Sequence, residues 1–215
     1  VSTNAVKFRF EVEEPEGVYV EPVPDYDLNS GSIIIDSISN KTLSVQKVLF
    51  IIYPYTWDAK DIERCPGTID TAVIWINPTP VINVALPAPG DTLYCNGSDV
   101  VFSVGTDNGD IIGEKVYEIS AVYNVVNVSG VTELPTVPND NTGFTNTLVN
   151  SHDSIVQMVT YTITPRFINV ASDIFECTRG IDTTIRVYIA ATLNDTLLST
   201  KVWTGGYDLR CNEAQ

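Results

Sequence analysis

The single histidine, His152, stands in the run Asn150-Ser151-His152-Asp153-Ser154, which holds the three residue types that acyl-transfer enzymes combine. A working triad needs a buried carboxylate to orient the imidazole and a nucleophile on a strained turn. A polar run between two strand patterns signals neither, so His152 reads as a solvated loop histidine and no enzymatic activity is expected. Paired carboxylates for glycoside hydrolysis would need a cleft that alternating strands do not specify, and Glu11, Glu13, Glu14 and Glu16 read as a solvated rim. Asp107-Asn108-Gly109-Asp110 sets three oxygen side chains around a glycine, and a hard cation would relieve a chain of net charge −15. The run lacks the twelve-residue loop and its closing glutamate. Asp107, Asn108 and Asp110 therefore stand as a weak calcium candidate beside the plainer reading of a loop tip, and no other cofactor or metal is expected.

The elements that must carry these residues are strands. "VKFRFEVE" from Val6, "DVVFSV" from Asp99, "KVYEISAVYNVVNV" from Lys115, "QMVTYTIT" from Gln157 and "TTIRVYIA" from Thr183 alternate with period two or are β-branched, and no stripe at helical spacing survives. Clusters of Asn, Asp, Gly and Pro at residues 27–31, 107–109 and 138–143 separate them. Short strands at this spacing predict a β-sandwich.

The chain also repeats itself. "QKVLFIIYPYT" from Gln46 returns as "QMVTYTITPRF" from Gln157, 111 residues on, with Val48 matching Val159, Ile52 matching Ile163 and Pro54 matching Pro165. "CPGTIDTAVI" from Cys65 returns as "CTRGIDTTIR" from Cys177, 112 residues on. A fixed period dictates tandem modules. "INPTPVI" from Ile76 cannot sit inside a ladder and reads as a stiff connector. The predicted division is residues 1–78, a first sandwich lacking its opening strands because Phe8 falls near Tyr117 of the second copy; residues 79–192, a complete second sandwich; and residues 193–215, a linker and the start of a third repeat, because "LRCNEAQ" resembles "LYCNGSD". The matched strands fall as the F and G strands closing each module, with Pro54 and Pro165 expected to end strand F. Trp75 and Tyr188 on the repeated G strands are expected in the core.

With 27 acidic against 12 basic residues, the field would repel phosphate backbones and anionic lipid, so nucleic acid is excluded as a partner. The longest strongly apolar run, Val48 to Tyr53, is far short of a membrane span, so no membrane insertion is expected. Charged residues make up 18% and hydrophobic ones 44%, which argues for a packed domain, and a surface rich in Ser, Thr and Asn with four widely spaced cysteines suits an exported stalk.

In "VTYTITP", the late Cys before "GIDTT", the linker "NPTPVI" and "LYCNGSDVVFSV", the chain resembles the PKD-like, immunoglobulin-type repeats of very large Bacteroidota surface proteins, among them gliding-motility adhesins and other type IX secretion cargo. The likeness covers residues 79–192 well and 6–78 in part. It departs from the family where a Trp is frequent in the C strand, and this chain offers Tyr117 or Tyr123. The resemblance implies tandem immunoglobulin-like (PKD-like) β-sandwiches outside the cell, at the cell surface. It also implies O-glycans at Asp followed by Ser or Thr and a small or aliphatic residue, which picks out Ser37, Thr71, Thr92, Ser154, Thr183 and Thr196. Four Asn-led sequons, at Asn40, Asn96, Asn127 and Asn194, rank below them.

If each module owns an early and a late cysteine, Cys95 and Cys177 are the complete pair, and Cys65 and Cys211 have partners outside the chain. In an immunoglobulin-like sandwich those positions lie at opposite ends, so a staggered scheme stapling successive modules stays open beside the preferred intramodule pair. The expected function is a structural repeat segment of an adhesin or surface filament, a stalk or spacer whose partners are neighbouring repeats of the same protein or filament. The alternative is a carbohydrate- or receptor-binding module whose sandwich-end loops meet a surface glycan or protein receptor. Opening strands missing from the first module could be supplied by another chain's tail through strand addition.

Overall fold

The computed structural model describes residues 5–21, 35–57, 63–86, 93–138, 143–169, 174–177 and 180–192. The protein is all-β. Its strands are β1 (Ala5–Glu13), β2 (Val18–Glu21), β3 (Ser37–Asn40), β4 (Gln46–Trp57), β5 (Glu63–Pro66), β6 (Asp70–Ile76), β7 (Asn83–Ala85), β8 (Leu93–Tyr94), β9 (Asp99–Gly105), β10 (Glu114–Val122), β11 (Val128–Ser129), β12 (Leu134–Pro138), β13 (Phe144–Thr147), β14 (Val149–Asn150), β15 (Gln157–Asn169), β16 (Ile174–Cys177) and β17 (Thr183–Ile189). The chain divides into two compact units. One holds residues 1–79 with 108–113, the other residues 80–107 with 114–215.

The second unit is a sandwich of two sheets. One runs β12-β10-β15-β17-β8, with β16 also on β15, and the other runs β13-β9-β7. Period-two patterning sends alternate side chains inward, so Val100, Phe102 and Val104 of β9 meet Tyr117 and Ile119 of β10, Val159, Tyr161 and Ile163 of β15, and Val187 and Ile189 of β17. Burying each of these aliphatic or aromatic side chains contributes about 1.5–3 kcal/mol. Phe102 lies between two rings, stacked on Phe144 at 4.3 Å and edge-on to Tyr161 at 4.8 Å. Tyr117 is almost fully buried. All pairings in the larger sheet are antiparallel except β8 with β17, which run parallel through Tyr188↔Leu93 and Ile189↔Tyr94.

The first unit repeats part of that plan. β4 pairs β1, β5 and β6, and β2 pairs β3. The registers coincide: Phe8 faces Pro54 as Tyr117 faces Pro165, and Gln46 faces Ile76 as Gln157 faces Ile189. Val18 faces Asn40 as Val128 faces Asn150. Among the described residues, the first unit has no counterpart of β7, β8 or β9. Its buried core is correspondingly small, with Val18, Val20, Val48 and Phe50 at its centre.

Three expectations are corrected. Pro54 and Pro165 lie inside β4 and β15 and do not end them. β6 and β17 part from them at Ile52 and Ile163, and β5 and β16 take up pairing only at Tyr55 and Phe167, so each missing N–H falls in the gap between two pairings. Each proline carbonyl accepts from a glycine on that side, Gly67 N–H at 2.7 Å and Gly180 N–H at 3.0 Å. The Ile-Asp-Thr match is one residue out of step with space, since Asp70 takes the place of Thr183 against Ile52 and Ile163. Finally, Trp75 is exposed and Tyr188 only half-buried, because both point to the outer face, one residue off the inward row of Val187 and Ile189.

Candidate functional site

The acceptor hydroxyls divide by burial. Ser37 opens β3 and is exposed, Thr71 is exposed on β6, and Ser154 is exposed in the loop before β15. At the last two, the neighbouring aspartate folds back on the acceptor residue: Asp70 Oδ1 accepts from the Thr71 N–H (2.8 Å), and Asp153 Oδ1 accepts from the Ser154 hydroxyl (3.1 Å). Thr183 differs. It is half-buried, and its hydroxyl donates to the Ile82 carbonyl at 3.3 Å, so it offers no open acceptor. Its Asp182 carboxylate accepts from Thr164 instead, at 2.8 Å. Thr92 and Thr196 lie outside the described residues.

Two asparagines, unremarked in the repeat, carry the polar architecture. Asn150 is fully buried. Its amide nitrogen lies 2.9 Å from the Ile155 carbonyl, 3.2 Å from that of Ile189 and 3.1 Å from that of Ala190, and its oxygen accepts the His152 N–H at 2.9 Å. Asn40 does the same work in the first unit: its nitrogen donates to the Ser44 and Ile76 carbonyls at 2.8 and 2.9 Å, and its oxygen accepts the Thr42 N–H at 2.9 Å. Each clamps the turn before the long strand to the end of the strand that returns beside it. Their signal is faint but present, an Asn six residues before Gln46 and seven before Gln157. The clamp takes Asn40 out of contention as a sequon. Asn96 is engaged too, donating to Thr192 at 2.6 Å and accepting the Asn150 N–H at 2.6 Å, Asn127 is half-buried, and Asn194 lies outside the described residues.

His152 has a structural post in the same turn. Its Nδ1 accepts the N–H groups of Ser154 and Ile155 at 3.2 and 3.1 Å, which fixes that nitrogen as the unprotonated one. Asp153, the adjacent carboxylate, is largely solvated. In the loop proposed for calcium, Asn108 is buried and its nitrogen donates to the Thr79 carbonyl at 3.0 Å, while Gly109 N–H reaches the Leu43 carbonyl at 2.8 Å. The Asp110 carbonyl accepts the Val45 N–H at 2.7 Å. Residues 108–110 thus pin the turn around Leu43. Among the described residues no three His, Cys, Asp or Glu side chains converge as metal ligands.

The preferred cysteine pair is corrected. Cys95 is disulfide-bonded. It follows Tyr94, which is level with Ile189 and Gln157, whereas Cys177 pairs with Phe167, ten residues further along β15. Ten residues of strand span about 33 Å, against the ~7 Å that a disulfide tolerates between Cα atoms. Cys65 is free and exposed, and Cys211 lies outside the described residues.

Two exposed apolar features remain. On β6, Val73, Ile74 and Trp75 are all exposed. At one end of the second unit, Val125 and Val126 are 75% and 82% exposed on a turn built by Asn124, whose side chain accepts the Val126 N–H at 3.1 Å and whose carbonyl accepts from Asn127 and Val128 at 3.1 and 2.9 Å. The Asn127 carbonyl in turn receives the Ser151 N–H at 2.8 Å, which joins this turn to the His152 loop. Aromatic faces suited to sugar stacking are less open. Lys7 Nζ covers the Trp57 ring at 3.9 Å and Lys41 Nζ covers Tyr19 at 4.9 Å, while Trp75 has no ring partner among the described residues. Among the described residues no helix is long and apolar enough to cross a membrane. Comparison with protein-family models and with curated proteins returns no match for this chain.

Proposed function

We propose that the chain is a non-enzymatic structural segment of an extracellular adhesin or surface filament, a stalk built from tandem immunoglobulin-like (PKD-like) sandwiches. The observation that carries this reading is the parallel pairing of β8 with β17 in the second unit. β8 is the second strand of the unit, after the short β7, and β17 is its last described strand, so their parallel run carries the chain from one end of the unit to the other on both. Tension along the chain then shears the β8–β17 bonds together, where a hairpin would unzip them singly. The sheet order β8-β17-β15-β10-β12 facing β13-β9-β7 matches an immunoglobulin-like plan, and its partial recurrence in the first unit fits a series of such modules. A hydroxyl-rich surface and the bonded Cys95 favour an oxidising, exported setting.

Force spectroscopy on the chain held at both ends tests it. With the Cys95 disulfide reduced, the second unit is expected to unfold in one peak that releases about 35–40 nm of contour length for its roughly 110 residues. Leu93→Pro, which disturbs β8, is expected to lower the peak force. A force that Leu93→Pro leaves unchanged would refute the shear argument.

The exposed Val125 and Val126 favour a second reading, a protein receptor met by the sandwich end. An aliphatic tip on a pinned turn suits a protein contact better than a sugar. Beads carrying the chain would lose adhesion to receptor-bearing cells on Val125→Ser with Val126→Ser; unchanged adhesion would end this reading.

A further inference from the structure

We infer that Cys95 is disulfide-bonded to Cys211 of its own chain, and that this bond takes residues 96–210 out of the path of tension, so that unfolding of the second unit under load is conditional on reduction.

The partner follows by elimination and from where the chain goes. Cys95 is bonded, and Cys65 is free. Cys177 lies beside Phe167, while Cys95 follows Tyr94 at the level of Gln157, which puts Cys177 far beyond the ~7 Å that a disulfide allows between Cα atoms. Cys65 is its counterpart in the first unit. Phe8 faces Pro54 as Tyr117 faces Pro165, which sets Thr56 level with Phe167, and the Cys65 N–H donates to the Thr56 hydroxyl at 3.1 Å. That position therefore carries a free thiol in the first unit. One cysteine is left, Cys211. The chain also runs to Cys95 as it leaves β17. The Ala190 N–H donates to the Tyr94 carbonyl at 2.9 Å, and the Asn96 amide donates to the Thr192 hydroxyl at 2.6 Å, so both neighbours of Cys95 touch the departing segment. From Thr192 roughly 19 residues lead to Cys211, and at up to about 3.3–3.6 Å each they cover the distance back to Cys95 several times over.

The bond forms as the two thiols together lose two protons and two electrons to a disulfide oxidant, which departs as a dithiol. Once made, it carries any pull applied outside it. Load passes from β8 through the two sulfurs to Cys211, and β9 to β17 lie outside its path. Of the second unit, only residues 80–94 stay in series, about 5 nm of chain against about 40 nm for residues 96–210. A thiol reductant returns two electrons to the sulfurs and restores the longer path, which β8 on β17 then guards. The mechanical role rests on the stalk reading, and the bond itself does not. Connectivity is settled by peptide mapping, whereas the stalk reading answers to Leu93→Pro under reduction.

The Cys65→Ser chain, with its free thiols capped before digestion by trypsin, tests the bond. Cleavage after Arg64 and Lys115 gives a peptide whose one cysteine is Cys95, and cleavage after Arg210 gives one that begins at Cys211. The two are expected to be joined without reductant and separate with it, and Cys177 is expected to be capped. Residues 65–115 joined to residues 167–179, a capped Cys95, or chains linked to one another through these cysteines would overturn the inference. Force spectroscopy reads the consequence. In the unreduced chain the release of about 35–40 nm should be absent, and Cys211→Ser, a change outside the described strands, should bring it back without reductant. Equal release from the unreduced and reduced chains would overturn the mechanical role.

Discussion

Asn150→Ala removes a fully buried amide and leaves four backbone groups to be reckoned with: the carbonyls of Ile155, Ile189 and Ala190, and the His152 N–H. The two amide hydrogens serve three carbonyls, so one is shared, and three hydrogen bonds' worth of stabilisation is lost. At about 1 kcal/mol each, with a further ~1–2 kcal/mol because a buried carbonyl left unpaired keeps its desolvation penalty, the cost is about 4–5 kcal/mol. Asn40→Ala in the first unit loses the bonds to Ser44, Ile76 and Thr42 at a slightly more open site and should cost about 2–3 kcal/mol. Native-state hydrogen exchange resolves the two, since each substitution acts within its own compact unit. Asn150→Ala should lower the protection of the best-protected amides of β15 and β17 by roughly 10³-fold or more, at tenfold per 1.4 kcal/mol, while leaving β4 and β6 unchanged. Asn40→Ala should do the reverse. A loss below fivefold at β15, or equal losses in both units, would refute the clamp and with it the claim that the two asparagines are equivalent.

The Tyr161 hydroxyl is buried without a partner among the described residues, and burial followed by the nearby Tyr123 pushes its phenol well above the ordinary value. The folded state thus holds the proton more tightly than the unfolded one. The contribution is fully present below pH ~10 and is lost as pH rises beyond it. Urea midpoints should fall above pH 10, and Tyr161→Phe should flatten that fall while changing stability at pH 7 by no more than about 1 kcal/mol. Gly180→Ala would drive a Cβ against the Pro80 carbonyl and the Pro165 ring; thermal unfolding should register a loss of about 2 kcal/mol or more, and an unchanged midpoint would contradict the packing there. In glycosylated material from the natural source, hexose-bearing peptides are expected at Ser37, Thr71 and Ser154 and not at Thr183; mass mapping that finds Thr183 occupied would contradict the burial argument.

The repeat was legible because the strand that crosses the middle of each unit is buried along one face, and burial preserves apolar type at fixed spacing: Val48 and Val159 are both fully buried. The Ile-Asp-Thr match misled by one residue because the edge strand tolerates a slip in text that the ladder does not tolerate in space. Pro54 and Pro165 looked like terminators because a sequence shows the missing N–H but not which edge it faces. The asparagine clamps were overlooked because a polar residue before a strand reads as a turn until the carbonyls it reaches, 36 and 39 residues away, are brought to it.

Residue order alone determined that this chain is β-structured, written on one plan more than once, and strongly acidic, because side-chain alternation and net charge are local or additive properties. Which hydroxyls stand open and which cysteine is bonded were decided only by tertiary structure. Burial, a ~7 Å limit between Cα atoms and the presence or absence of a neighbouring strand depend on residues far apart in the chain.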